Sequence, residues 1–499
     1  MNELRYTIRI LSGQRRLVVV DDFRLAESCI TVLFGESGIG KSLSALALAG
    51  LLDPDRLDID INDRVYTDYL QSRELLEIRR NGFFVFQEPS SHLNPLMTLT
   101  HQIREGSLAD TQHEEQILKR LWPDTSKSGI GEILEVYPKP YRPSGGEKQR
   151  ILATMAFKKM SAMTAPTPGA LFVFDEPTGS LDNKLRDEFL DLLVDRFRIS
   201  QATVLLITHD YSMISRFTSS YPDLTKRIVF RELSLEREKA RLREFRPSEY
   251  LDWIRGRKVL SHPDMKQQEV LRLQPSLRVF GRTLKITRDA AGKIPAPLVI
   301  RKGATVYLKA PSGVGKTTVV KLMMGLLKAE QMSMHLGGLE FTESTHRKVW
   351  SRRVWGRQMT MVFQHADEAL NQNSLVKDVF AGLPLKTEMD DERIVKVLSE
   401  LFEERADREF LRKPVKYLSG GQKQRLNLLR SLALETDILI LDEPLNGLDF
   451  ASSVKVLTKI EERTQKGRSV LVISHNEEIF DALVSPDDIY HLQAVTQED

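Results

Sequence analysis

Residues 35–42 read GESGIGKS and lie between an apolar run and the helix-like stretch SALALAGLL. Glycines let such a loop curl so that successive N–H groups face one point, and the helix that follows adds the positive end of its dipole. Lys41 adds a point charge and Ser42 a hydroxyl able to coordinate Mg2+, so the chemistry on offer is a cradle for nucleotide phosphates. Gly35, Glu36, Ser37, Gly38, Ile39, Gly40, Lys41 and Ser42 are the expected contacts. The pattern returns as Ala310, Pro311, Ser312, Gly313, Val314, Gly315, Lys316 and Thr317, with Thr318 next. Ala310 stands where the first copy has Gly35, which a negative φ would permit.

Two carboxylates follow each loop at a distance. Asp175-Glu176 and Asp442-Glu443 each end an apolar run. A hard cation between β- and γ-phosphate oxygens needs oxygen ligands, which Asp175 and Asp442 supply beside Ser42 and Thr317. The adjacent Glu176 and Glu443 are placed to polarise a water for in-line attack on the γ-phosphorus. His209 and His475 each terminate a β-rich run, and their matched positions point to a γ-phosphate contact.

The elements that must position these groups occur twice. VFQ recurs at 85–87 and 362–364, SGG at 144–146 and 419–421, and Leu-Asp at 181–182 and 448–449. Together with the loops, acid pairs and histidines these make six ordered pairs, 266–277 residues apart, a tandem duplication. Each half alternates β-rich and amphipathic stretches, which predicts a layered α/β domain. CITVLF (29–34), ALFVFD (170–175), TVLLIT (203–208) and their partners TVYLKA (305–310), DILILD (437–442) and SVLVIS (469–474) read as buried parallel strands. The expected organisation is a first domain over 1–231 with a helical part near 88–142, a charged linker over 232–272, and a second domain over 273–499 with a helical part near 365–417. The linker, dense in both charges and broken by Pro247, reads as a solvated helix and loop.

These residues together resemble the ATP-binding-cassette family over nearly all of both halves. The second half carries its signature LSGGQ, Leu418 to Gln422; the first carries PSGGE, Pro143 to Glu147. The resemblance implies two P-loop α/β nucleotide-binding domains using ATP and Mg2+, with each signature acting on the nucleotide of the other half. Site one would join Lys41, Glu176 and His209 to Ser419, Gly420, Gly421 and Gln422. Site two would join Lys316, Glu443 and His475 to Ser144, Gly145, Gly146 and Glu147. Gln87 and Gln364 match the family's Q-loop, near Mg2+ or the attacking water. Ser180-Leu181-Asp182 and Gly447-Leu448-Asp449 match its D-loops, and Phe280 is the candidate for the adenine-stacking aromatic of the second half. The run from Gln87 through His92-Leu-Asn-Pro-Leu-Met resembles the peptide, nickel and opine importers of that family.

With 499 residues, 41% hydrophobic and 28% charged, the chain reads as globular. Its one cysteine, Cys29, excludes an intramolecular disulfide or a cysteine cluster, and a net charge of +3 gives no push towards nucleic acid. No apolar run has the length of a membrane span. The resemblance therefore implies a transport motor at the cytoplasmic face of the inner membrane. It would work with two separate transmembrane permease subunits and, indirectly, a solute-binding protein, with no nucleic acid. The competing expectation is a soluble twin-cassette ATPase acting on the ribosome.

Overall fold

The computed structural model describes residues 2–108, 113–123, 125, 127–135, 143–179, 181–236, 239–257, 259, 268–311, 313–385, 387, 389–402 and 406–495. The chain divides into two units, Met1–Leu251 and Asp252–Asp499.

In the first unit six strands form one sheet, in the order Lys239–Glu244, Ile228–Glu236, Ile30–Gly35, Thr203–Ile207, Leu171–Asp175, Phe83–Val85. The last five are mutually parallel, and only Lys239–Glu244 runs antiparallel to its neighbour. Ile30–Gly35 and Leu171–Asp175 are buried along their whole length, as an apolar strand covered on both faces must be. A smaller antiparallel sheet joins Arg15–Ala26, Glu3–Ser12, Asp58–Ile61 and Arg64–Val65. Tyr6, Ile8, Val20 and Phe23 from this sheet meet Leu33, Val173, Leu205 and Ile207 in one core.

The second unit repeats this plan with a changed edge. Its seven-stranded sheet runs Ser276–Val279, Arg282–Thr287, Ile489–Val495, Thr305–Lys309, Ser469–Ile473, Ile438–Asp442, Met359–Val362, parallel from Ile489–Val495 onwards. A four-stranded antiparallel sheet of Leu298–Arg301, Glu269–Leu273, Ser333–Leu336 and Leu339–Thr342 packs beside it. All six strands read from the apolar runs are present within two residues of the expected bounds, and all are parallel.

The stretch read as a charged linker is folded over much of its length. Ile228–Glu236 and Lys239–Glu244 pair as an antiparallel hairpin at the sheet edge. Its charges alternate with apolar residues at the period of a strand, so Leu233 and Ala240 turn into the core shared with the antiparallel sheet, while Phe230, on the opposite face, meets Phe34. Glu232 is buried too, accepting from the Tyr211 hydroxyl and Arg243. Pro247 opens the helix Pro247–Arg255 instead of breaking one, because the first helical turn has no use for its missing N–H. Residues 258 and 260–267 of that stretch, and parts of the expected helical segment near 88–142, lie outside the described residues. Within the expected helical segments stand Leu99–Ile103, Glu114–Leu121 and Lys127–Leu134, and Asp391–Ser399 and Arg408–Leu411.

Candidate functional site

Each phosphate loop leaves the C-terminal end of a central strand and enters a helix at its lysine. The helices Lys41–Leu48 and Lys316–Met323 follow Gly40 and Gly315, held at φ 108° and 117°, conformations that a side chain would strain. A Cβ on Gly40 would stand 2.4 Å from Val18 Cγ2. Both lysines fold back over their loops. Lys41 Nζ donates to the carbonyls of Gly35 (2.6 Å) and Glu36 (3.1 Å), and Lys316 Nζ to those of Ala310 (2.6 Å) and Pro311 (3.3 Å). Gly35 has φ 143°, with the Leu233 carbonyl against it, whereas Ala310 has no positive φ and carries its methyl without that strain. Glu36, Ser37, Gly38 and Ile39, like Pro311, Gly313 and Val314, form the curl, and Thr318 lies in the helix; Ser312 is outside the described residues.

Ser42 and Thr317, one residue further, turn their hydroxyls onto the strand-end aspartates. Ser42 Oγ donates to Asp175 Oδ1 at 3.0 Å, and Thr317 Oγ1 to Asp442 Oδ2 at 2.8 Å. Burial pushes the Asp175 carboxyl up to about 6, with nearby Glu176 adding to it and Ser42 and Lys41 opposing. Asp442 is raised by burial in the same way. A buried carboxylate beside a hydroxyl, both hard oxygen donors, fits a small divalent cation that takes its remaining ligands from phosphate and water.

Glu176 and Glu443 follow at φ 47° and 51°, left-handed backbone that costs a residue with a side chain of order 1–3 kcal/mol. The amide of each is held by the end of the neighbouring strand, Glu176 on Ile207 O (3.0 Å) and Glu443 on Ile473 O (2.8 Å). From there the units differ. Glu176 Oε2 lies 2.8 Å from His209 Nδ1. Burial works against the charge on Glu176, but His209 outweighs it and holds the carboxyl low; reciprocally, Glu176 holds the His209 imidazole high. Glu443 instead accepts from the Ser474 hydroxyl and the His475 amide, both at 3.1 Å, and its Oε1 is 3.4 Å from His475 Nε2. Burial dominates there and pushes Glu443 up to about 7, against the pull of the His475 amide, Lys316 and Ser474. Ser474 was not singled out from sequence. Its signal is a hydroxyl residue directly before the histidine, present in both halves as Thr208 and Ser474.

The two SGG motifs open helices, Gly145–Ser161 and Gly420–Ala433. Ser144 and Ser419 cap them. Glu147 and Gln422 turn back onto the cap amides, at 2.6 and 3.0 Å, completing a capping box in each. Glu147 therefore stabilises its own helix start. Gln149 Nε2 donates to Phe86 O at 3.1 Å, tying the first of these helices to the backbone beside Gln87, which is exposed; Gln364 is half-buried. Asp182 and Asp449 cap the helices Asn183–Ser200 and Phe450–Gln465, and Ser180 lies outside the described residues. Phe280 sits 73% exposed at the tip of a hairpin whose second strand places Leu284 beside Gly315. The matching tip in the first unit is Gly13-Gln14 and offers no ring.

A loop lysine, a hydroxyl–aspartate pair, a glutamate on strained backbone and a histidine thus converge twice, at the same strand ends. The model of the family described as ABC transporter matches residues 20–179 and 296–446. The chain belongs to the ABC transporter family. Proteins of this family are ATPases, and this chain is an ABC ATPase with two nucleotide-binding cassettes. It is 27% identical to the peptidoglycan transport ATP-binding protein YejF of Agrobacterium fabrum, over 95% of this chain and 87% of that one. It is 26% identical to the oligopeptide transport ATP-binding protein OppD of Mycobacterium bovis, over 91% and 87%. In fold it is similar to a chain in the crystal structure of the complex of archaeal ribosomal stalk protein aP1 and archaeal ribosome recycling factor aABCE1, with TM-score 0.63 and 17% identity over 97% of this chain and 89% of that one. Among the described residues no helix of this ABC protein is long and apolar enough to cross a membrane.

Proposed function

We propose that the chain is the ATP-hydrolysing motor of an importer, acting on two transmembrane permease subunits that are separate polypeptides. A solute-binding protein would deliver the cargo, and the motor would sit peripherally at the cytoplasmic face of the inner membrane. The observation that carries this reading is the doubled set of Lys41, Asp175, Glu176 and His209 with Lys316, Asp442, Glu443 and His475 at equivalent strand ends. The relatives named for peptidoglycan and oligopeptide transport favour a peptide-like cargo over nickel or a metal-chelating opine. The likeness to the ribosome recycling factor is one of fold, which hosts many functions.

Each ATP would be held by one unit's loop and closed by the other unit's signature. Lys41, Glu176 and His209 would work with Ser419, Gly420, Gly421 and Gln422; Lys316, Glu443 and His475 would work with Ser144, Gly145, Gly146 and Glu147. Ser42, Asp175 and Gln87 in one site, and Thr317, Asp442 and Gln364 in the other, would hold Mg2+, which supplies positive charge to the β- and γ-phosphate oxygens. Glu176 or Glu443 accepts a proton as the attacking water bonds to the γ-phosphorus, and the bond from that phosphorus to the bridging oxygen of ADP breaks. Closure of the two cassettes over ATP favours one permease state over the other by its differential affinity. Affinity purification of the tagged chain from native membranes tests the reading. Two hydrophobic permeases should accompany it, and recovery of ribosomal proteins without permeases would overturn it.

A further inference from the structure

The segment 346–357 of the second unit, HRKVWSRRVWGR, contains five arginines and lysines and no acid. It begins as the short helix Arg347–Val349 and continues as one wide turn, Trp350–Val354. Its tryptophans hold it down. Trp350 is buried over Gly325 with its ring 4.5 Å from that of Phe341, and Trp355 Nε1 donates to Met324 O at 2.7 Å. Val354 is buried between them in sequence. With those positions turned inward, Arg347, Lys348, Arg352, Arg353 and Arg357 are all exposed. None of the five has an ion-pair partner among the described residues; Arg347 lies over the Trp355 ring at 5.7 Å.

The first unit differs at the matching place. The matching helix of the first unit, Arg73–Asn81, balances Arg73 with Glu77 at 3.1 Å and spends Arg79 on the Gly50 carbonyl. Exposed cations fixed on a rigid base, with no carboxylate among them, select an anionic surface. Trp350 is buried, and the half-buried Trp355 is tied through its Nε1 to Met324 O with Arg347 over its ring, so neither stands free as a stacking platform for nucleic-acid bases. Aliphatic side chains do reach the surface: Val349 is 38% exposed and Leu326 42%. Leu326 lines a groove of about 490 Å³ with Lys328, His346 and Arg347, and with one acid, Glu343, whose carboxylate accepts from the Met332 amide at 3.2 Å. Cations interspersed with exposed aliphatic groups match a headgroup interface, where charge attraction and shallow apolar contact act together.

We propose that this cationic face of the second unit docks on anionic phospholipid headgroups, giving the chain a membrane contact of its own that needs no permease. The proposal builds on the membrane-associated reading above, and its test uses no permease, so either can fail alone. The full-length chain is co-sedimented with phosphatidylcholine vesicles with and without phosphatidylglycerol. Wild-type chain should partition onto the anionic vesicles only, and added salt should release it. Replacing both Arg352→Gln and Arg353→Gln should lower that partition by at least roughly tenfold, since each cation near an anionic surface contributes a severalfold effect. ATP turnover and thermal midpoint should stay at wild-type values, which shows that the variant is folded. Equal partition of variant and wild type, no preference for phosphatidylglycerol, or capture of a labelled oligonucleotide in place of vesicles would each overturn the proposal.

Discussion

His209 Nδ1 lies 2.8 Å from Glu176 Oε2, whereas the His475 imidazole stands 3.4 Å from Glu443 and it is the His475 amide, at 3.1 Å, that donates to that carboxylate. The two glutamates proposed to drive hydrolysis are therefore held by different chemistry on the same backbone. Glu176 is kept ionised by an imidazole. Glu443 is gripped by a hydroxyl and an amide, which offset less of its burial.

This difference predicts an opposite response to pH. Glu443 is pushed up to about 7, so between its ordinary range and that value the folded chain keeps a proton the unfolded chain has released. Stability falls as pH rises through that window, by at most about 3 kcal/mol. In thermal unfolding of the nucleotide-free chain, Glu443→Gln should stabilise at pH 8 and do little at pH 5. A gain of equal size at both would refute it.

Ser474 is expected to position Glu443. Ser474→Ala removes the hydrogen bond the hydroxyl donates to Glu443 and those it accepts from Asn476, of which the first, about 1 kcal/mol, should lower kcat roughly fivefold while leaving KM for ATP unchanged. Ser474→Thr should restore the rate. A rise in KM with kcat intact, or no rescue by threonine, would show that the hydroxyl acts elsewhere.

Glu147→Gln should preserve or raise ATP turnover, because Gln422 already completes the same capping box in the second unit and the change removes a negative charge near the expected phosphate site. Glu147→Ala loses the box and should lower stability by about 1 kcal/mol in chemical denaturation. Collapse of activity in Glu147→Gln would contradict this.

Lys41→Ala removes the charge that the loop carbonyls of Gly35 and Glu36 hold in place. Turnover should fall at least tenfold, or about 1.4 kcal/mol of transition-state stabilisation. Undiminished turnover would exclude the first loop from the motor.

The loops, strand-end acids and histidines were legible because each is a local pattern, repeated in order, and the strand before each loop is apolar enough to be placed by sequence alone. The edge hairpin 228–244 was not. Its alternation of Leu233 and Ala240 with arginines and glutamates reads as charge density until the partner strand and the Tyr211–Glu232 contact are seen. The unequal glutamates were hidden for a related reason. Glu176-x and Glu443-x look alike in sequence, and only the placement of two imidazoles and one hydroxyl, brought by a strand far along the chain, tells them apart.

The proposal that each cassette owns a hydrolytic glutamate is tested by ATP turnover and nucleotide binding of Glu176→Gln, Glu443→Gln and the double variant. Turnover should fall in both single variants, more in Glu176→Gln, and the double variant should lose roughly a hundredfold or more while still binding MgATP. Turnover in the double variant within about tenfold of wild type would contradict the assignment of either glutamate to proton transfer.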